Sequence, residues 1–325
     1  MTVLIITHSQ DNQCIEMVMD ALAARGEKAF RFDTDRYPTD TKLDVYYGKQ
    51  AEQLILSTPE ATLNLKEVSA VWYRRIRIGE KIPATMDEQL RHASVQESRS
   101  TIQGMIASLK AFHLDPVPVI RLAENKQLQL QVARELELET PQTLITNNPA
   151  AVLQFAKDCP SGMITKMLSS FAIYEAGNEK VVFTNAVTTE DLQHLEGLRY
   201  CPMTFQEQIP KALELRVTVV GKQVFTASVD SQRLQKAQQD WRRQGIALIK
   251  DWQPYQLPAS VEAKLLKLMD FFGLNYGAID IIVTPDNRHV FLEVNPVGEF
   301  FWLEQHPGLP ISQAIAELLL NHSQQ

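Results

Sequence analysis

The sequence predicts an α/β protein with α+β elements, and three observations predict it. The chain opens strand–helix–strand: an apolar run at Val3–Ile6, a helix from Asp11 or Asn12 to about Ala24, and a second run at Lys28–Phe32. A parallel sheet begins that way. Near the other end, the apolar runs Tyr276-Gly277-Ala278-Ile279-Asp280-Ile281-Ile282-Val283 and Val290-Phe291-Leu292-Glu293-Val294-Asn295 flank the turn residues Thr284-Pro285-Asp286-Asn287-Arg288, a hairpin signal. Finally, 325 residues at 45% hydrophobic content are enough for about two domains or a few subdomains.

Bulk properties exclude several classes. The formal net charge is −7, where a general nucleic-acid binder would be basic. Cys14, Cys159 and Cys201 are odd in number, widely spaced and without a CxxC pair, so a reducing cytoplasm is expected. The start, Met1-Thr2-Val3-Leu4-Ile5-Ile6-Thr7, has no basic region before a long apolar one and reads as a strand, not a signal peptide. No run approaches the roughly 18 apolar residues of a membrane span, and there is no internal repeat.

Taken in order, Gly26 follows the first helix and the polar turn Asp33-Thr34-Asp35 follows the second strand. Val45–Tyr47, Leu54–Ser57 and Ala61–Leu65 read as antiparallel additions, and Val68–Tyr73 as another buried strand. It runs into Arg74-Arg75-Ile76-Arg77, where three arginines beside Trp72 and Tyr73 could bind an anion or an acidic peptide, or could pack their stems at a domain seam. Met86–Leu109 is helical, and Asp115-Pro116-Val117-Pro118 breaks the pattern at the first domain boundary. A helix over Leu122–Leu138 follows. Asn147-Asn148-Pro149 starts another that runs to Asp158. Gly162–Leu168 and Val181–Val187 are strands; Thr188 or Thr189 caps a short helix over Glu190–Leu195, whose first-turn acids suit the helix dipole. Met203–Ile209 is a strand, Leu213–Val220 and Gln223–Val229 form a hairpin over Gly221-Lys222, and Gln232–Gln244 is a polar helix. Pro258–Phe272 is an amphipathic helix stopped by Gly273, and Pro310–Leu320 closes the chain.

The chemistry gathers on the late hairpin. Glu293 and Asn295 lie two apart and share one side of a strand, and folding about the turn brings Asp280 opposite Leu292 or Glu293. Two carboxylates and an amide oxygen then form a hard-oxygen set suited to Mg²⁺ completed by substrate phosphates. The plain alternative is acids facing solvent at alternate positions. An acid, an amide, a proline and a glycine within Glu293–Gly298 favour the site. Lys166 lies mid-strand and Arg216 in an apolar strand, and each needs an anion. Lys126 at a helix start is by itself equally consistent with a solvated lysine. Gln206-Glu207-Gln208-Ile209 is a strand end that could frame an adenine and ribose, or an ordinary edge.

The ordered set Lys126, Lys166, Gln206–Ile209, then Glu214 and Arg216 in "ELRV", then Asp280, Glu293 and Asn295 in "GAIDIIV" and "LEVNPVGEF" resembles the ATP-grasp ligases. The resemblance covers about residue 118 to the end, and the N-terminal part is similar to the pre-ATP-grasp domain of that family. It implies domains at 1–117 (pre-ATP-grasp), 118–211 (central subdomain) and 212–325 (C-terminal subdomain with the metal site). Met167-Leu168-Ser169-Ser170-Phe171 departs from the pattern, because it lacks the glycines that often cover the phosphates.

Across nearly the whole chain, "FRFDTDRYP", "VSAVWYRR", "HLDP", "KQLQLQVARELEL", "CPMTFQEQIPKALELRVTVVG", "LNYGAID" and "LEVNPVGEFFWLE" resemble the microviridin-type graspetide ligases, the ester-forming member more than the lactam-forming one. That implies ATP and Mg²⁺ as cofactors and a precursor peptide, leader plus core, as partner. It implies ring closure between Asp or Glu carboxylates and Thr or Ser hydroxyls through an acyl phosphate. ATP would be bound by Lys126, Lys166, Gln206, Glu207, Gln208, Ile209 and Glu214, with Lys166 and Arg216 catalytic and Asp280, Glu293 and Asn295 on the metal. Glu190 and Asp191 would hold the leader, unless they only cap their own helix. A homodimer is a further family expectation, and Asp230, just after a strand, is the candidate base. Rival readings are a lactam-forming ligase, a ligase adding a free amino acid as glutathione synthetases and ribosomal-protein glutamate ligases do, and a non-enzymatic sensor that kept the fold.

Overall fold

The computed structural model describes residues 2–168, 172–175, 178–181, 184–233 and 245–322. The opening folds as read. β1 (Thr2–Thr7) leads into α1 (Cys14–Ala23) and β2 (Lys28–Asp33). Neither expected residue is the N-cap, which is Gln13 with no side-chain cap bond; Asn12 sits one residue before it, its Oδ1 accepting from the Cys14 amide at 3.0 Å. Asp11 turns inward to Thr7. β3 (Lys42–Tyr47), β4 (Glu52–Ser57) and β5 (Thr62–Asn64) make a separate antiparallel sheet. β6 (Val68–Tyr73), α2 (Glu88–Ser108) and β7 (Phe112–Leu114) complete the first sheet, ordered β2-β1-β6-β7 and parallel throughout.

The helix expected over residues 122–138 is two: α3 (Val117–Ala123) and α4 (Lys126–Glu135). Pro118 sits in the first turn of α3, and the Asn125 side chain caps α4 by accepting from the Leu128 amide at 3.1 Å. An asparagine that takes up a helix amide this way ends one helix and starts the next. β8 (Thr143–Thr146), α5 (Pro149–Asp158), β9 (Met163–Lys166), β10 (Ala172–Glu175), β11 (Asn178–Val181), β12 (Asn185–Ala186) and β13 (Met203–Glu207) follow. They give an antiparallel sheet ordered β12-β9-β13-β8, with β10 and β11 paired as a hairpin. The strand expected over 181–187 falls partly on residues 182–183, and the glycine-poor loop partly on 169–171, outside the described residues.

β14 (Leu213–Val220) and β15 (Gln223–Val229) keep the sequence bounds. Of the polar helix expected over 232–244, residues 234–244 lie outside the described residues. α6 (Gly245–Leu248), β16 (Gln253–Pro254), α7 (Ala259–Phe272), β17 (Tyr276–Val283), β18 (His289–Asn295), α8 (Phe301–Gln305) and α9 (Ile311–His322) complete the chain. α7 ends at Gly273, whose φ of 69° is left-handed and suits a residue without Cβ. The last sheet is antiparallel, ordered β16-β15-β14-β17-β18. No described helix is long and apolar enough to cross a membrane.

One buried cluster joins both ends of the chain. Val3, Ile5, Cys14, Ile15 and Leu22 pack with Trp302, Ile311, Ile315 and Leu319. The last helix is thus built into the core of the first sheet, which fixes that sheet against the hairpin carrying the acids.

Polar contacts lock the same seam. Arg74, 1% exposed, donates from Nη1 to the Val297 and Gly298 carbonyl oxygens, both at 3.0 Å. Its guanidinium lies 5.4 Å over the Trp72 ring, and its Nε is 3.7 Å from Asp11. Burial alone would raise the Asp11 carboxyl, but Arg74 and the Thr7 hydroxyl outweigh it and hold it below the usual range. Of the two readings open for Arg74, the seam is the one observed. Asp115 ties the linker to β17, accepting from the Asn275 backbone amide, the Asn275 side chain and the Tyr276 amide at 2.9–3.1 Å.

Candidate active site

The register of β17 and β18 sets the site. Asp280 pairs with Glu293 and Ala278 with Asn295. Between Asp280 and Ile281 the register shifts, so Ile281 pairs with Phe291 and Leu292 is the extra residue of a bulge. Bulges of this kind re-aim side chains, and here Leu292 and Glu293 both line one cleft. On the other side of β17, Asp280 pairs with Arg216 of β14. The Arg216 Nη1 donates to Asp280 Oδ1 at 2.8 Å, and the guanidinium lies 5.5 Å from the Trp302 ring centre. The anion that a buried Arg216 requires is therefore Asp280 in this structure.

Two lysines converge on Glu293. Lys126, first residue of α4, places Nζ 2.5 Å from Glu293 Oε2, and Lys166, last residue of β9, is 3.9 Å from the same oxygen. Three elements distant in sequence meet there. Gln129 holds α4 in place. It is 1% exposed, its Nε2 donates to the Ala123 and Val294 carbonyls at 2.5 and 2.9 Å, and its Oε1 accepts from the Val294 amide at 3.0 Å. β18 is a sheet edge, so this side-chain amide supplies the partners a further strand would have given Val294.

The cleft has a volume of about 990 Å³. Its walls include Lys126, Lys166, Gln206, Glu207, Gln208, Ile209, Glu214, Asp280, Glu293 and Asn295. The Glu207 and Gln208 amides are used inside the protein, donating to the Gln142 and Gly162 carbonyls. Gln206 donates from its side chain to Thr143 at 2.9 Å, and the Glu207 carboxylate accepts from the Gln142 amide at 3.0 Å. Glu214 accepts from Ser231 at 2.6 Å and Lys211 at 3.0 Å. Burial raises its carboxyl, and the Lys211 ammonium and Ser231 hydroxyl only partly offset that.

Two carboxylates and an amide oxygen on neighbouring strands fit Mg²⁺, which takes one or two protein carboxylates and fills its octahedron with water and phosphate oxygens. Among the described residues no group of three His, Cys, Asp or Glu could hold a metal; the set here has two carboxylates and an amide. Asn295 Oδ1 also accepts from the Val297 amide at 3.0 Å, which orients it.

Other sequence candidates lie elsewhere. Asp191 accepts at 2.7 Å from both the amide and the hydroxyl of Thr188, whose hydroxyl accepts from the Asp191 amide at 3.1 Å. Those bonds hold its carboxyl below the usual range. Glu190 is exposed beside it, and neither residue lines the cleft. Asp230 binds Arg233 at 3.0 Å and is also absent from the cleft wall. Sequence reasoning missed Gln129, Lys211 and Ser231. The signal for Gln129 was available: it falls on the buried stripe of α4 with Val132 and Ala133, and a buried amide needs partners.

The fold and the site have known relatives. A model of the MvdD pre-ATP grasp domain matches residues 2–121. The macrocyclase MdnC from Microcystis aeruginosa MRC, solved bound with precursor peptide MdnA, is 58% identical, with 99% of this chain and 100% of that one covered and a TM-score of 0.90. The chain belongs to the ATP-grasp macrocyclases of the microviridin (graspetide) type. A ligase of this RiPP-associated ATP-grasp kind from Chryseobacterium gregarium, solved with ADP and a leader and core peptide, is 40% identical over 98% of this chain and 96% of its own, TM-score 0.93. The macrocyclase MdnB from Microcystis aeruginosa MRC is 38% identical over 98% and 99%, TM-score 0.83. Among curated proteins no match is found.

Proposed function

We propose that this macrocyclase-family chain uses ATP to close rings in a ribosomally made precursor peptide, joining Asp or Glu side-chain carboxylates to Thr or Ser hydroxyls as lactones. The observation that carries the reading is the meeting of Lys126, Lys166 and Glu293 with Asp280 in one large cleft, where Arg216, itself off the cleft wall, backs Asp280. A peptide carboxylate oxygen attacks the γ-phosphorus, and ADP leaves. A hydroxyl oxygen of the same peptide then attacks the acyl carbon, phosphate leaves, and the hydroxyl proton is lost.

Each group has a part. Lys126 and Lys166 hold phosphate oxygens, and Gln206–Ile209 with Glu214 frame the nucleoside. Arg216 places fixed positive charge at the acyl phosphate, where a preorganised donor counts most. Asp280, Glu293 and Asn295 would hold Mg²⁺, which neutralises phosphate charge when bound. Attack within one peptide gains the equivalent of roughly 7 kcal/mol or more in effective molarity. Glu190 and Asp191, on an exposed turn off the cleft, are the proposed leader contact, and the chain boundaries at 117 and 211 are the proposed domain limits.

The test is the mass of the product. The protein is incubated with Mg·ATP and the MdnA precursor carrying its leader. Loss of one water mass per ring with ADP formed is the expected result, and mild base should reopen every ring. Rings that survive base would make the product a lactam. ADP formed only with free amino acids would make the chain an amino-acid ligase.

A further inference from the structure

The arginine cluster after β6 is only partly used by the seam. Arg74 is consumed there, as described. Arg75 is not: its side chain is 37% exposed and lines the cleft, beside Asn295, Pro296 and Val297 at the hairpin end. Among the described residues its one ion-pair partner is Glu299, with Nη1 to Oε1 at 2.9 Å and the glutamate 34% exposed. Glu299 does not line the cleft. Arg75 thus sits between a carboxylate outside the cleft and the space within it, with a guanidinium that carries five N–H donors.

Both members are anchored by buried neighbours. Arg74 is tied to the Val297 and Gly298 carbonyls, and the Tyr276 hydroxyl donates to the same Gly298 oxygen at 2.8 Å. A Cβ on Gly298 would meet the Ala278 Cβ at 2.3 Å, so the segment lies directly against β17 and cannot shift there. The backbone beside Arg75 is therefore pinned, and its half-exposed side chain lines the cleft that Asp280 and Asn295 also line.

Charge gives that place a purpose. Five carboxylates and four cations line the cleft. Of the cations, Lys126 and Lys166 face Glu293 and Lys211 faces Glu214. Those two glutamates line the cleft themselves, whereas Glu299, the partner of Arg75, does not, so Arg75 is the cation an incoming carboxylate can take without freeing an acid inside the cleft. Arg75 comes from the loop just past β6, two residues after Tyr73.

We propose that Arg75 binds an acidic side chain of the substrate peptide, and that Glu299 is the resident carboxylate it releases in exchange. This rests on the peptide reading of the cleft and adds a residue that selects for acidic cores. Glu299 is then a competitor, so the two members of the pair act on peptide affinity with opposite sign.

The experiment is calorimetric titration of MdnA into the full-length wild type, R75Q and E299Q, with KM for ATP measured in parallel. R75Q should weaken peptide binding about tenfold, the low end for a charge-assisted bond at a partly exposed site. E299Q should tighten it about two- to fivefold, the range of an exposed ion pair released. KM for ATP should hold in both. An ion pair that is merely structural would move both variants the same way, and that result overturns the proposal. So does a rise in KM for ATP in R75Q, which would make Arg75 a phosphate ligand. Opposite shifts in peptide affinity without any water-mass loss in the wild type would support Arg75 while removing the cyclisation reading. No binding of MdnA to the wild type would remove both.

Discussion

Replacing Gln129 by leucine tests how Lys126, a proposed phosphate ligand, is held. Gln129 makes three buried hydrogen bonds, two of them to the N–H and C=O of Val294 on an edge strand. Leucine has similar bulk and no polar atom, so both Val294 groups lose their partner in a site 1% exposed. An orphaned buried group costs about 1–3 kcal/mol, so the pair should cost about 2–6 kcal/mol of stability. Gln129 lies one turn after Lys126, and Val294 is next to Glu293, so the same bonds set the 2.5 Å approach of Lys126 to Glu293. Q129L should therefore also weaken nucleotide binding, although residue 129 does not line the cleft. Q129E should be worse at neutral pH, because a carboxylate cannot donate to the Ala123 and Val294 carbonyls. Urea unfolding gives the first quantity and calorimetric titration of ADP the second. A Q129L protein within about 1 kcal/mol of wild type, below the cost of even one well-orphaned group, would refute the edge-strand account. Lost stability with unchanged ADP affinity would refute the link to Lys126.

Three other outcomes follow from the geometry. D280N keeps the shape but takes one carboxylate from the proposed metal set and the counter-ion from Arg216; ring formation should fall at least about a hundredfold, and near-normal product by mass would remove Asp280 from the chemistry. E190K reverses a charge whose side chain caps nothing in the turn, whereas D191K also breaks the Thr188 contacts; weaker MdnA binding in E190K alone, with ADP affinity unchanged, is the outcome expected of a leader contact, and an unaltered titration would end it. Burial pushes the Asp115 carboxyl from 3.8 up to about 6, and a carboxyl raised in the native state holds its proton more tightly there. Its stabilising contribution is then full below pH 3.8, falls as pH rises to about 6, and is flat above; the stability of wild type minus D115N, followed across that window, should fall, and a rise would show the donors from Asn275 and Tyr276 to dominate.

The strands and the acids were legible because their signals are local. β6, β14, β15 and β17 begin and end where period and composition place them, and Gly273 stops α7 through a conformation only its own φ requires. What stayed open was the partner of Asp280, Leu292 or Glu293. The reason is physical: register follows from alternation and turn length only while a strand keeps its period of two, and a bulge at Leu292 breaks that period at the site itself. The same holds for Arg74 and Arg75. They are neighbours of one type, and composition assigns both the same choice of seam or ligand. Only the arrival of residues 297–299, more than two hundred positions later, separates them, burying one against backbone carbonyls and leaving the other on the cleft wall. Residue types that suit the chemistry can thus be read from the chain, whereas their division between holding the fold and meeting the substrate is decided by long-range contacts. That division is where Gln129 and Arg75 differ from the residues the motif names, and it is what Q129L and the Arg75–Glu299 pair measure: the first through stability and ADP affinity together, the second through opposite signs on one peptide.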